Sequence, residues 1–406
     1  YISDTIYREN FSIMIHLASH CEKFLSHNGV FASSIGGSIG GALGIIHFYL
    51  GNYIIAKKFL EEGLTNLENN PNENHGRIAQ FLTYLGMVYR DLGNLKKAKD
   101  LLEQSLKIFK KQILEKHIGV ARSLGYLGIV FKELGKYEKA KNLLEQSLKI
   151  LKRQVPKDYI GIARAFAHLG NVYRSLGDYE KSKSFLEQSL ISYRKYFLEN
   201  HAGVAWVLML LGNVYRNLGN CEKAKSLFEQ GLIIYKEHYP ENHIGVAWAL
   251  ARLANVYRKL GDYENAKSLF KQNLAIYKKH FPKDHIEIAW VLECLASVYS
   301  ELGNYEKAKD FLEKSLTIYE KNYGNNHNKM AGGLRRLGKI YLLNKDMETA
   351  ENLISKALEI FQQNKHPQSY LALRNLAEIY LKKSMDAENK RDILQSKDLR
   401  NRAINH

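Results

Sequence analysis

Residues 159–197 read YIGIARAFAHLGNVYRSLGDYEKSKSFLEQSLISYRKYF, and this segment decides the fold. Before Gly177, the residues Ile162, Ala163, Phe166, Leu169, Gly170 and Tyr173 recur at i, i+3, i+4 and i+7. After it, Tyr179, Ser182, Phe185, Leu186, Ser189, Leu190 and Tyr193 keep the same spacing. Both halves therefore predict amphipathic α-helices. Leu176, Gly177 and Asp178 separate them, and glycine takes the left-handed conformation that closes a helix without steric cost. Two helices joined by so short a turn form an antiparallel hairpin.

Gly177 is one of a series. Gly51, Gly93, Gly135, Gly177, Gly219, Gly261 and Gly303 each stand 42 residues beyond the last. A period of this length marks a stack of supersecondary units. One hairpin cannot bury both of its faces, so neighbours must stack. Small residues recur where paired helices approach. On the first helix these are Gly44, Gly86, Gly128, Gly170, Gly212, Ala254, Ala296 and Gly338. On the second they are Ala56, Ala98, Ala140, Ser182, Ala224, Ala266, Ala308 and Ala350. Asn74, Asp158, Asn200, Asn242, Asp284 and Asn326 sit in register before the first helices and are expected to cap them, with Lys116 breaking the series. The expected architecture is all-α, a right-handed superhelical solenoid of antiparallel helix hairpins.

The motifs Leu-Gly-x-x-Tyr on the first helix, Gly-Asn/Asp-Tyr at the turn, and Ala with Ala/Ser-Leu on the second resemble the tetratricopeptide repeat. The period is longer than that family's usual 34 residues. With Asn-His-x-x-Val-Ala at 200–205 and 242–247, and Leu-Glu-Gln-Ser-Leu-x-Ile at 102–108 and 144–150, it looks like the kinesin light chain subclass. The resemblance covers residues 36–363 as eight units. Residues 1–35 contain one amphipathic helix over 7–24 and are expected to be a cap or the remnant of a preceding domain. A chain beginning at Tyr1 reads as a fragment of something longer. Residues 364–406 restart the pattern at Leu376 and are expected to form an atypical capping hairpin.

Composition sets limits. The formal net charge is +17, which points either to an acidic partner or to lysine-rich surface helices. No run approaches the roughly 18 apolar residues of a membrane span. The 3 cysteines, Cys21, Cys221 and Cys294, are far apart and show no metal-ligand spacing, which favours a reducing, cytoplasmic setting. The run from Ser33 to Gly41 lacks the lysine of a phosphate loop and reads as a small-residue helix entry.

His75, His117, His201, His243, His285 and His327 form a row, with Tyr159 in the gap. Equivalent helices of a stack lie about 8–10 Å apart, too far to share one zinc at about 2.1 Å per bond. Capping or packing between repeats is their expected role. No metal site, cofactor or catalytic constellation is read from the chain, and an enzyme is not expected.

Counted from the leucine of each Leu-Gly pair, positions −5, −2, +2 and +5 share one helix face. The resemblance implies that this face lines the concave groove and meets partners. Three ladders stand on it: Trp206, Trp248 and Trp290; Asn171, Asn213 and Asn255; and Arg90, Lys132, Arg174, Arg216 and Arg258. An asparagine amide matches a peptide unit, arginine forks match carboxylates, and indoles offer flat contact area. The tryptophans could equally pack between repeats, and the cations could serve the helix dipole. The candidate peptide-binding set is Arg164, Asn171, Arg174, Trp206, Met209, Asn213, Arg216, Trp248, Asn255, Arg258 and Trp290. The expected function is a scaffold for an extended acidic protein segment or peptide. Two rivals stay open: the sensor or oligomerisation arm of a larger signalling protein such as a nucleotide-binding receptor ATPase, and nucleic-acid binding through a basic face.

Overall fold

A computed structural model describes residues 11–27, 34–68, 71–112, 117–154, 157–196, 201–389 and 393–405. Among them are 19 helices and no strand, an all-α solenoid. Helix α1 (Phe11–His27) is followed by sixteen helices in the expected alternation. These are α2 (Ser34–Tyr49), α3 (Tyr53–Glu68), α4 (Pro71–Asp91), α5 (Leu95–Gln112), α6 (Ile118–Glu133), α7 (Tyr137–Arg153), α8 (Tyr159–Ser175) and α9 (Tyr179–Tyr196). Then come α10 (Ala202–Asn217), α11 (Cys221–His238), α12 (Ile244–Lys259), α13 (Tyr263–His280), α14 (Ile286–Glu301), α15 (Tyr305–Tyr323), α16 (Asn328–Leu343) and α17 (Met347–Gln363). Helices α18 (Ser369–Asn389) and α19 (Ile393–Asn405) pack together at the end. The chain forms two compact units, Tyr1–Leu260 with Lys279–Phe281, and Gly261–Lys278 with Pro282–His406.

Two glycines of one hairpin show two different needs. A Cβ on Gly170 would lie 2.7 Å from Leu186 Cγ and 3.0 Å from the Ser182 carbonyl oxygen, so only hydrogen lets α8 and α9 approach. Gly177 has open space around it but sits at φ +83°, where a side chain is strained. At the eighth turn Lys345 takes the left-handed conformation at φ 67° without that freedom.

Serine ties the hairpins from inside. Ser105, Ser147 and Ser189 on second helices donate to the carbonyls of Ala79, Ala121 and Ala163 on their first helices, at 2.7, 2.6 and 2.7 Å. Tyrosine ties neighbouring hairpins. Tyr89 donates to Glu61 at 2.6 Å, and Tyr257 to Glu229 at 3.0 Å. Between these bonds lies a continuous apolar interior through Leu60, Leu102 and Leu144, all fully buried. The N-terminal helix packs a separate apolar cluster, setting Met14 and Ala18 against Leu43 and Ile46.

The helix starts correct the capping expectation. The residue that caps is the histidine one place later. His117, His201, His243, His285 and His327 each accept, through Nδ1, the amide two residues on, at 3.0–3.2 Å. Imidazole is long enough to turn back onto that amide, so Asn242, Asp284 and Asn326 are left outside the first turn. Asp158 caps α8, as expected, because Tyr159 stands where the histidine would be. Helix α4 starts at Pro71, so Asn74 and His75 lie inside its first turns. Lys116, Asn200, Ser33 and residues 1–10 lie outside the described residues.

The first unit curls on itself. First helices of successive repeats touch one another and so take the inner side. At the ends of the curl, His243 Nε2 lies 3.3 Å from the carbonyl oxygen of Tyr49, and His280 Nδ1 lies 3.0 Å from that of Gly51. The rings of Tyr53 and Phe281 stack at 6.0 Å. The first turn of the stack thus meets the start of its sixth repeat. In the second unit the core residues include Leu312, Ile354 and Phe361.

Candidate functional site

The inner face of the first unit is built from the first helices of repeats one to six. At its N-terminal part is a cavity of about 340 Å³. Gln80, Arg122 and Arg164 line it from position −5, and Tyr84, Tyr126 and His168 from position −1. Tyr49 and Arg77 join them, and Arg77 donates to Ser38 at 3.1 Å. Arg122 is held 3.8 Å from Asp158. The tyrosines make an aromatic ladder, with Tyr49 to Tyr84 at 6.1 Å and Tyr84 to Tyr126 at 6.4 Å between ring centroids.

Further along, the +5 cations are unequally served. Burial opposes the charge of Arg90, yet Asp91 and Glu133 hold its pKa above the ordinary value. Lys132 is pushed down to about 8 by burial, against the pull of Glu133 and with help from Arg174, Arg90 and Arg252. Burial and then Arg252 lower Arg174. Arg216 is pushed down to about 10 by burial, Arg252 and Arg174. His168, half-buried between cavity and cations, is pushed down to about 3 by burial and by Arg90, Lys132 and Arg164. Partly dehydrated cations that depress one another's pKa destabilise the empty fold.

The asparagine ladder is not uniform. Asn171 Oδ1 accepts from Nε and Nη2 of Arg174 at 3.2 and 3.0 Å, and Asn255 Oδ1 from Arg258 at 2.9 Å. Asn213, with 4% of its surface exposed, donates to the Met209 carbonyl at 3.0 Å, and its Oδ1 has no donor.

Trp206 and Trp248 are half-buried and pack on the apolar cluster around Leu208 and Leu211 while keeping an open face. His168 lies 4.8 Å from Trp206, and the Arg252 guanidinium lies over Trp248 at 5.1 Å. Met209 presents no surface. Its Cε lies 2.8 Å from where Gly231 would carry a Cβ, filling the space that serine takes in other hairpins. Trp290 belongs to the second unit, where it meets Phe270 edge-on at 6.3 Å. There Arg336 pairs with Glu293, which also accepts from Tyr319 at 2.9 Å.

The spacing rule missed position −1, which supplies Tyr84, Tyr126, His168 and Arg252. That position is four residues after −5 and three before +2, so helical geometry puts it on the same face. Among the described residues no group of three or more potential metal ligands occurs, and no helix is long and apolar enough to cross a membrane.

A curled stack of helix hairpins with its inner face lined by aromatic, amide and cationic side chains is a repeat scaffold. The chain belongs to the tetratricopeptide repeat family, whose model matches residues 39–111, 77–153, 161–237, 245–321 and 287–363. That fold is generally a non-catalytic scaffold for protein interaction. A search of curated proteins found no match. Among solved structures, the chain is similar to the Signal Transduction ATPase with Numerous Domains protein with a tetratricopeptide repeat sensor, PH0952, from Pyrococcus horikoshii. Identity is 17% and the TM-score 0.55, over 84% of this chain and 52% of that one. It is also similar to BtubC (BKLC) from P. vanneervenii, at 18% identity and TM-score 0.46, over 57% of this chain and 92% of that one. A kinesin light chain-like repeat protein from Podosopora anserina aligns at 22% identity and TM-score 0.45, over 51% and 98%.

Proposed function

We propose that the chain is a protein-interaction scaffold that takes an extended acidic peptide along the inner face of its first unit, over repeats four to six. Arg164, Arg174, Arg216 and Arg258 would meet carboxylates, and Trp206 and Trp248 would cover apolar side chains. Asn171, Asn213 and Asn255 would meet the peptide backbone. Asn213 Oδ1 is buried without a donor, which a peptide N–H would supply. Met209 has no exposed surface and Trp290 lies in the other unit, so neither enters this reading. The observation that carries it is that, among the described residues, Arg174, Arg216 and Arg258 on this face have no carboxylate partner, whereas Arg90 has Asp91 and Glu133. The test is capture of acidic peptides by the wild type and by the double variant Asn213→Ala/Arg216→Ala. Loss of capture with near-native thermal stability supports the reading. Equal loss of folding makes these residues structural and ends it. Oligonucleotide binding with a steep salt dependence would favour a nucleic-acid partner instead.

A second reading has its own support. PH0952 is described as carrying its repeats as a sensor, and this chain spans about half its length. On that basis the chain is the sensor arm of a larger signalling ATPase. Sequencing the gene upstream of Tyr1 tests this: a nucleotide-binding module there supports it, and an unrelated module removes it.

A further inference from the structure

One glycine opens part of the 340 Å³ cavity in the first unit. Position −2 of the first helix carries Thr83 in repeat two, Ala167 in repeat four and Met209 in repeat five, but Gly125 in repeat three. Thr83 fills its place by hydrogen bonding to Ser105 at 2.6 Å and Ser123 at 3.1 Å. Gly125 leaves the counterpart of Ser105, Ser147, at the cavity wall. A Cβ on Gly125 would meet Ser147 Oγ at 3.3 Å and no other neighbour within 4 Å. Three guanidinium groups line the same space, Arg77, Arg122 and Arg164, against one carboxylate, Asp158. Asp158 already serves the fold, because its Oδ1 accepts the Gly161 amide at 2.8 Å. It stands 3.8 Å from Arg122, an ion pair longer than a hydrogen bond. The wall thus carries two positive charges in excess. The aromatic ladder of Tyr49, Tyr84 and Tyr126 lines the cavity too. The hydroxyls of Tyr49 and Tyr84 meet at 3.3 Å, whereas that of Tyr126 has no hydrogen-bond partner among the described residues.

We propose that this cavity binds a small molecule in which a flat aromatic ring system carries a phosphate monoester, as in a nucleoside monophosphate. A phosphate monoester brings about −1.5 to −2 charges near neutral pH, which matches the excess on the wall, whereas one carboxylate brings half as much. Its oxygens accept the guanidinium forks of Arg122 and Arg164. A ring packs favourably against tyrosine at centroid separations of about 4.5–7 Å, and the Tyr126 hydroxyl is a donor for an oxygen of the ligand. The volume lies within the roughly 300–1,000 Å³ of small-molecule sites. The site spans repeats one to four, shares only Arg164 with the peptide reading and does not rest on it.

The experiment is calorimetric titration of the full chain with adenosine 5′-monophosphate, phenyl phosphate and inorganic phosphate at matched ionic strength. Saturable binding of both monoesters is expected, about tenfold or more tighter than inorganic phosphate, and weakened about tenfold or more in Arg122→Gln. Gly125→Leu keeps every charge and fills the space, so it should abolish binding. Thermal denaturation establishes that each variant folds, and Arg122→Gln decides alone if Gly125→Leu does not. Lys149→Gln, exposed on α7, should leave binding unchanged. The site is overturned by absence of saturable binding of either monoester, by inorganic phosphate binding as tightly, or by undiminished binding in folded Arg122→Gln. A phosphotyrosine peptide that binds more tightly than both small molecules would assign the cavity to a protein partner and overturn the proposal as well.

Discussion

The imidazole of His243 reaches 194 residues back along the chain to the carbonyl oxygen of Tyr49, 3.3 Å from Nε2. Its Nδ1 accepts the Gly245 amide at 3.0 Å, so the ring proton sits on Nε2 and is donated to Tyr49. One side chain thus starts α12 and fastens the curl of the first unit.

Loss of that ring should loosen both. His243→Ala is expected to cost about 1–2 kcal/mol and to speed amide exchange at Gly51 and Asn52. His243→Asn keeps a capping oxygen but is too short to reach Tyr49. It should recover most of the stability and none of the protection at the first turn. Exchange there that is unchanged in both variants would show that the tie does not hold the curl.

Acid should destabilise the first unit through two histidines. Burial with neighbouring cations holds His168 at about 3, and burial, opposed by the Tyr49 carbonyl, holds His243 at about 4. Both lie below the roughly 6.5 of a free imidazole, so the unfolded chain takes up protons first. Their contribution is complete above about pH 6.5 and is lost as the pH falls toward 4. His168→Gln should flatten the decline of Tm between pH 6.5 and 4.5, and a decline as steep as wild type would contradict the assignment.

Alkali should act in the opposite sense at Lys132. Its folded pKa of about 8 lies below the roughly 10.4 of the unfolded chain, so its neutral form is favoured by folding. Its share of stability should rise as the pH goes from about 8 to 10. The difference in Tm between wild type and Lys132→Gln, measured at pH 7.5 and 9.5, reads this directly. A difference that does not change between the two values would refute it.

Glycines should respond by place. Lys345→Gly removes a left-handed lysine and should stabilise the protein by about 1 kcal/mol. Gly170→Ala pushes a methyl to within 2.7 Å of Leu186 and should cost about 1–3 kcal/mol. Chemical denaturation of the two variants checks both signs.

The hairpins were legible because Gly177 and its equivalents punctuate a 3.6-residue period that no other fold explains. The caps at Asn242, Asp284 and Asn326 were misread by one place, since asparagine and aspartate are the usual capping residues and imidazole is not, while Asp158 caps as read. The inner face was legible in part. Helical arithmetic found Arg174, Arg216 and Trp206, but it passed over Arg252 and His168 by stepping 3, 4, 3 and skipping position −1. Met209 followed the same arithmetic and was wrongly aimed. Only coordinates reveal that Gly231 leaves a hole that Met209 fills. The curl that brings His243 to Tyr49 is encoded in no local pattern.

The central claim is that the inner cations of the first unit serve a ligand and not the fold. The direct measurement is the Tm of the unliganded Arg174→Gln/Arg216→Gln variant at low ionic strength. Relief of repulsion predicts a Tm equal to or above that of the wild type. A Tm clearly below it would show that the arginines hold the repeats together and would contradict the account.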